Sequence, residues 1–314
     1  MREEGLTYLD SERPRLLMFC GKGGVGKTTC AAATALHFAK NHLKTLLLST
    51  DPTPSLSDIL EMEIGREVRK VEGFSHLHAV ELDYEVIIEE WKARFGREVY
   101  EVASSFLPVG EEIIEYVANA PGISEEFSLS YILDLYEGGG YDVIVWDTAP
   151  AGGTLSLLKL QEKFYRHLRE AAWLYVKIRR TLEVLAGGKL KRNPLTVIKE
   201  WENLSWKILQ MLRDKETQAI LVTIAEALAV RQTARLVREL EAHGIRIGGV
   251  VVNQLVGDEC SCSFHRKRSA MQKDYLNQLK AYVHYRLTPL PQLPQEVKGI
   301  ETLQTIEKLL FPKP

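Results

Sequence analysis

The 314-residue sequence predicts an α/β fold, a doubly wound and mostly parallel sheet carrying a phosphate-binding loop, with an α-helical subdomain inserted into it. Three observations carry that expectation. Short apolar runs recur along the chain and alternate with helical patterning, which argues for a parallel sheet covered by helices on both faces. A glycine-rich segment sits between the first run and an Ala-rich helical stretch. Two long tracts with helical spacing contain no strand.

Six runs read as buried strands: Arg15 to Cys20, Thr45 to Ser49, His78 to Leu82, Tyr141 to Trp146, Ala219 to Thr223 and Ile247 to Asn253. In such a sheet the ligand crevice lies at the carboxyl ends of the strands. The first helical tract follows the third run, with Ile88, Trp91, Phe95, Val99, Val102 and Phe106 at helical spacing. The second follows the fourth run. There Phe164, Leu168, Ala171, Tyr175, Ile178, Leu182 and Leu185 form one stripe, and Val197, Trp201, Leu204, Ile208 and Met211 form another. Residues 1–314 are thus expected to form one domain carrying the phosphate-binding loop, its helical subdomain built from insertions at about 84–128 and 155–215. Ile300 to Leu310 is amphipathic without a basic polar face, and packing on the sheet is its expected role.

Bulk properties exclude several classes. Hydrophobic residues make up 45% and charged residues 26%, an ordinary globular composition. A net charge of -2 sets up no global field for nucleic acid or an acidic membrane surface. Met1 to Arg15 lacks the apolar stretch of a signal peptide, and no apolar run reaches the ~20 residues that span a bilayer. Four cysteines in a chain this long make no disulfide framework and fit a reducing, cytoplasmic setting.

The glycine-rich segment, Gly21 to Thr29 (GKGGVGKTT), satisfies G-x-x-x-x-G-K-[ST]. The backbone N–H groups of Gly21, Lys22, Gly23, Gly24, Val25 and Gly26 would turn inward around phosphate oxygens, and the helix start adds its positive dipole end. Lys27 is expected to reach the β- and γ-phosphates of ATP, Thr28 to ligate Mg²⁺, and Thr29 to complete the loop. Lys22, directly after the first glycine, marks the deviant form of this motif. Its members dimerise face to face, with this lysine reaching the partner's phosphates in trans. Asp51, after the second strand, is expected to orient the attacking water, and Asp147, after the fourth, to hold Mg²⁺ through water.

GKGGVGKTT, DPTPSL, DTAPAGGTLSLL, VTIAEALAVRQTARLVREL and VVNQL together resemble the arsenite-pump/Get targeting ATPase family from about Arg15 to the C-terminus. That resemblance implies that Asn253 hydrogen-bonds the adenine and that Pro291 to Glu296 closes the adenine pocket. It departs in three places. Gly153 stands where the family's second switch carries His. The zinc pair of the targeting factors, CxxC, is represented by Cys262 and His265, with Cys260 able to replace His265. A Cys-x-x-His spacing chelates zinc, so two copies would complete one site across a homodimer. Third, this is a single half where the pump ATPase has two. The implied function is an ATP-hydrolysing homodimeric targeting factor that shields the transmembrane segments of tail-anchored proteins. The broad apolar face around Trp201, Trp206 and Leu209 is the expected client lining, and the sequence names no membrane receptor. The alternatives are an energising ATPase of an arsenite or anion efflux pump, and a partition-type positioning ATPase. Cys20 and Cys30 sit in the first strand and the following helix, which argues against a thiolate metalloid site. The His265 to Arg268 run reads as a solvated segment.

Overall fold

The computed structural model describes residues 5–51, 55–82, 84–104, 110–119, 123–148, 194–257 and 262–313. These divide into two compact units. The first holds an eight-stranded sheet: β1 (Leu16–Gly21), β2 (Thr45–Ser49), β3 (Arg69–Lys70), β4 (Leu77–Glu81), β5 (Val143–Asp147), β6 (Thr217–Ile224), β7 (Ile247–Leu255) and β8 (Leu287–Pro291). Their order is β3-β4-β2-β5-β1-β6-β7-β8. Every pairing is parallel except β3 with β4. All six expected strands are present. The two additional ones form the sheet's edges: β3 has two exposed residues, and β8 contains Pro289 and Pro291. Proline lacks the N–H that a central ladder needs, so β8 is tolerated as an edge and escapes a search for uninterrupted apolar runs.

The central strands are buried along their whole length, as expected for a sheet covered on both faces. Helix α1 (Leu9–Glu12) precedes β1, and α2 (Lys27–Lys40) follows the glycine loop. Five alanines of α2 are buried, and small side chains let its backbone approach the sheet closely. Phe38 of α2 packs into one core with Phe19, Leu47, Val145 and Val222 from four strands. The last helix, α10 (Gly299–Leu310), contributes Leu303, Ile306 and Leu310 to the same core, which bears out its expected packing role. At the foot of α2, His37 stacks on Phe311 with ring centroids 3.7 Å apart and bonds Asp10 and Glu307. Burial pushes Glu307 up, but hydrogen bonds from His37 and Lys40 more than offset it and hold the carboxyl below its usual range. Asp10 ahead of β1 and Glu307 and Phe311 at the end of α10 are thereby tied to the loop helix.

The other helices of this unit are α3 (Leu56–Leu60), α8 (Ala227–Ala242) and α9 (Ser263–Tyr282). The second unit is helical: α4 (Tyr84–Ser104), α5 (Glu112–Ala118), α6 (Ile123–Glu137) and α7 (Pro194–Arg213) as far as Leu212. Ile88, Trp91 and Val99 of α4 and Ile208, Met211 and Leu212 of α7 are buried, so both helical stripes face a core. Trp201 meets Phe95 edge to face at 6.0 Å, and Arg94 pairs with Asp134 at 2.7 Å. The stripe from Phe164 to Leu185, together with Phe106 and Gly153, lies outside the described residues.

Candidate nucleotide site

The site grows from the carboxyl ends of β1, β2, β4, β5 and β7. Parallel registry brings those ends level, with Ser49 beside Asp147 and Asp147 beside Phe19. Beyond β1 the loop turns through Gly24 at φ 78° and Gly26 at φ 94°, left-handed conformations that cost other residues roughly 1–2 kcal/mol. Gly26 is doubly constrained, because a Cβ there would run into Asn253 Nδ2. The chain then enters α2, where Lys27 is buried and Lys22 half-buried at the other side of the loop.

Thr28 Oγ1 donates to Asp147 Oδ2 at 2.6 Å and lies 3.4 Å from Ser55 Oγ. Ser49 Oγ adds a longer bond of 3.5 Å to the same Asp147 oxygen. Burial of Asp147 raises its carboxyl to about 6; the Thr28 bond and the Lys27 charge lower it, while the Asp51 charge raises it. Its Oδ1 is buried with no hydrogen-bond partner among the described residues. A carboxylate oxygen withdrawn from water and left unpartnered, beside a hydroxyl, fits a hydrated divalent cation. Asp51 is half-buried, and its backbone N–H bonds Ser49 Oγ at 3.2 Å.

Glu81 was not singled out by sequence. Its buried carboxylate takes the N–H groups of Ser55 and Leu56 at 2.6 and 2.8 Å and the Ser57 hydroxyl at 2.7 Å. It therefore anchors the start of α3, in the segment that carries Asp51 and Ser55. The available signal was a charged residue at the carboxyl end of the HAVEL run.

Asn253 at the end of β7 donates from Nδ2 to Val25 O at 2.9 Å and accepts the Gln254 N–H at 2.8 Å. Gln254 is left-handed at φ 59°. Its carbonyl and the Val256 N–H are clamped by Gln272 of α9 at 2.9 and 2.8 Å, a tie that no motif announced. Pro291 pairs with Leu255 at the end of β8, and both line a cavity of about 380 Å³ with Thr288 and Pro312.

Cys262 and His265 are exposed at the start of α9. Hydrogen bonds from the backbone and side chain of His265 hold the Cys262 thiol below its usual range. Among the described residues no three metal-ligating side chains converge in one chain, and Cys260 lies outside them. Cys20 and Cys30 are buried, which pushes both thiols up to about 12. Of the expected client lining, Trp206 is 49% exposed, whereas Leu209 is buried at 8% and Trp201 packs on Phe95. Leu209 lies at i+1 from Ile208, and the core of the helical unit takes both. No described helix is long and apolar enough to cross a membrane.

A parallel sheet, a left-handed glycine loop running into a helix with a buried lysine, and a carboxylate on the neighbouring strand define a P-loop nucleotide-binding protein. The match extends well beyond the loop, for the chain belongs to the anion-transporting ATPase family, whose model matches residues 14–312. It is similar to the protein named ATPase GET3 from Paracoccidioides brasiliensis strain Pb03, at 32% identity over 97% of this chain and 92% of that protein. ATPase get3 of Pyrenophora tritici-repentis is 31% identical over 97% of this chain and 93% of its own length. ATPase GET3 of Ajellomyces dermatitidis is 31% identical over 97% and 92%. The protein is an ATPase.

Proposed function

We propose that this ATPase is a cytoplasmic, homodimeric targeting factor that shields the transmembrane segments of tail-anchored proteins. The observation that carries the reading is the extent of its likeness to the ATPase GET3 proteins, which covers 97% of the chain, helical unit included. The alternative, an arsenite-pump subunit, asks for soft thiolates at the switch loops. Cys20 and Cys30 are instead buried thiols held protonated by their surroundings, which favours the targeting reading.

In this reading Lys27 and the loop N–H groups bind the β- and γ-phosphates, while Lys22 reaches the phosphates of the opposing subunit. Asp51 orients the attacking water, and Glu81 fixes the segment that carries it. Thr28 and Asp147, the latter through water, would hold Mg²⁺, which neutralises charge developing on the phosphates. Asn253 and Pro291 bound the adenine. Cys262 and His265 from two subunits would supply four zinc ligands. Trp206 is the remaining exposed member of the client lining.

Co-expression with a tail-anchored protein, followed by size-exclusion chromatography, tests the reading. A soluble complex that needs the client's transmembrane segment and is weakened by Trp206→Glu is the expected result. A client that stays insoluble, with turnover stimulated by arsenite, would overturn it.

A further inference from the structure

We propose that Trp146 is a positioning residue for ATP hydrolysis, its indole N–H holding the backbone that carries Asp51. Trp146 stands directly before Asp147 at the end of β5 and is buried at 1% exposure. Val145 and Leu47 pack into one core with Phe38 of α2. The two-residue alternation of a strand therefore sends Asp147 and Ser49 to the face that α2 covers. Trp146 and Thr50 fall on the opposite face. Parallel pairing sets Trp146 level with Leu48, two residues before Thr50. A diagonal neighbour on the same face lies within reach of a large aromatic side chain. The indole Nε1 spans that gap and donates to Thr50 Oγ1 at 2.9 Å.

Burial alone does not call for tryptophan here. Phenylalanine would fill much of the same space and bring no polar atom into the sheet. A buried indole N–H costs free energy unless it finds an acceptor. Thr50 supplies that acceptor just past the last residue of β2. Further bonds converge on the same two residues. The Thr50 N–H donates to Asp147 O at 3.2 Å, and the Asp51 N–H donates to Ser49 Oγ at 3.2 Å. Ser49 Oγ in turn donates to Asp147 Oδ2 at 3.5 Å.

Asp51 is thereby referred to β5 from both sides of the sheet. On the nucleotide face, Ser49 links the Asp51 N–H to the Asp147 carboxylate. On the reverse face, the indole grips the side chain of the preceding residue. Threonine suits this grip because β-branching leaves its χ1 few rotamers, so holding the hydroxyl restrains the main chain directly. Strand β5 thus carries the carboxylate assigned to Mg²⁺ and fixes the residue assigned to the attacking water. In-line attack on a phosphate depends on such placement, and a displacement of about 1 Å can cost about a hundredfold in rate. This role rests on the reading of Asp51 as the residue that orients the water.

Steady-state kinetics of the full-length ATPase, with turnover referred to titrated nucleotide sites, test the assignment. Thr50→Val keeps the shape and removes the acceptor, whereas Trp146→Phe keeps an aromatic ring and removes the donor. Each should lower kcat about tenfold and leave KM for ATP within about twofold, because the attacking water is engaged in the transition state and not in binding. The double variant should be no slower than either single one, the mark of one shared bond. Thr50→Ser restores the hydroxyl and should bring kcat back to within about twofold of the parent. The indole N–H resonance that disappears in Trp146→Phe should move upfield in Thr50→Val and keep its place in Thr50→Ser. Parent-like kcat in both single variants, beside an inactive Asp51→Asn, would overturn the proposal and leave Asp51 in its role. Parent-like turnover by Asp51→Asn would instead remove the role of Asp51, and that of Trp146 with it. Losses that add in the double variant, a KM that rises as kcat falls, or a Thr50→Ser as slow as Thr50→Val would each overturn the positioning role.

Discussion

Asp147→Asn should make the nucleotide-free protein more stable while disabling it as an ATPase. The carboxyl of Asp147 is fully buried and its folded-state value is raised to about 6, chiefly by burial. In the unfolded chain it titrates near 3.9. A raised acid binds its proton more tightly when folded, so the folded state is relatively penalised wherever the group must ionise. Below about pH 4 both states are protonated and nothing is lost. Between about 4 and 6 stability falls as pH rises, and above 6 the full penalty stands. Two units at ~1.36 kcal/mol each make that penalty about 3 kcal/mol. Asparagine is nearly isosteric with the protonated acid, and its oxygen can still accept from Thr28. Urea denaturation of variant and parent, each without nucleotide at pH 8 and near pH 4, isolates the effect because other titrating groups cancel. The variant should gain about 2–3 kcal/mol at pH 8 and almost nothing near pH 4. A loss at pH 8, or an equal difference at both values, would refute the reasoning. Turnover should fall at least a hundredfold, because the unpartnered oxygen proposed to hold Mg²⁺ through water becomes an amide.

Three further substitutions probe the neighbouring parts. Glu81→Ala leaves two N–H groups at the start of α3 unpaired and should cost about 3 kcal/mol, whereas Glu81→Gln keeps an acceptor for them and should cost about 1–2. Amide exchange over Leu56–Leu60 reads the difference, and equal protection in both variants would mean that Glu81 does not anchor the start of α3. Gly26→Ala adds a methyl at φ 94° against the Asn253 amide; calorimetric titration should show nucleotide affinity reduced more than tenfold with the fold intact. Lys22→Ala should bind ATP with near-parent affinity in the individual pocket yet hydrolyse it slowly, and parent-like turnover would eliminate delivery in trans.

The parts legible in the sequence are those where backbone geometry restricts residue type. The loop announced itself because left-handed turns against a close neighbour admit glycine and little else. The inner strands did so because burial on both faces demands unbroken apolar runs. What escaped obeys softer rules. Strand β8 is held by edge pairing despite two prolines, and β3 is two exposed residues whose place is set by β4. Glu81 resembles any solvated glutamate until α3 folds over it. Trp201 and Leu209 lay on an apolar face whose width marks burial and client lining equally well; Leu209 is buried, and Trp201 is half-buried against Phe95.

Asn253 shows how a motif residue can serve two partners. An asparagine side chain has two N–H donors and an oxygen with two lone pairs. One donor is spent on Val25 O and one lone pair on the Gln254 N–H, which welds β7 to the phosphate loop. The remaining donor and lone pair are the complement of the acceptor and amino group on an adenine edge. The adenine contact that the family resemblance implies would draw on this remaining capacity. It would also join the base to the clamp on Gln254 by Gln272 of α9. Replacing Gln272 with Ala strands a carbonyl and an N–H directly beyond that adenine contact. Its expected signature is weaker adenine discrimination, with ATP losing more affinity than GTP, while phosphate-loop binding of inorganic triphosphate is unchanged. A uniform loss across all three ligands would mean that the clamp supports the fold and not the base pocket.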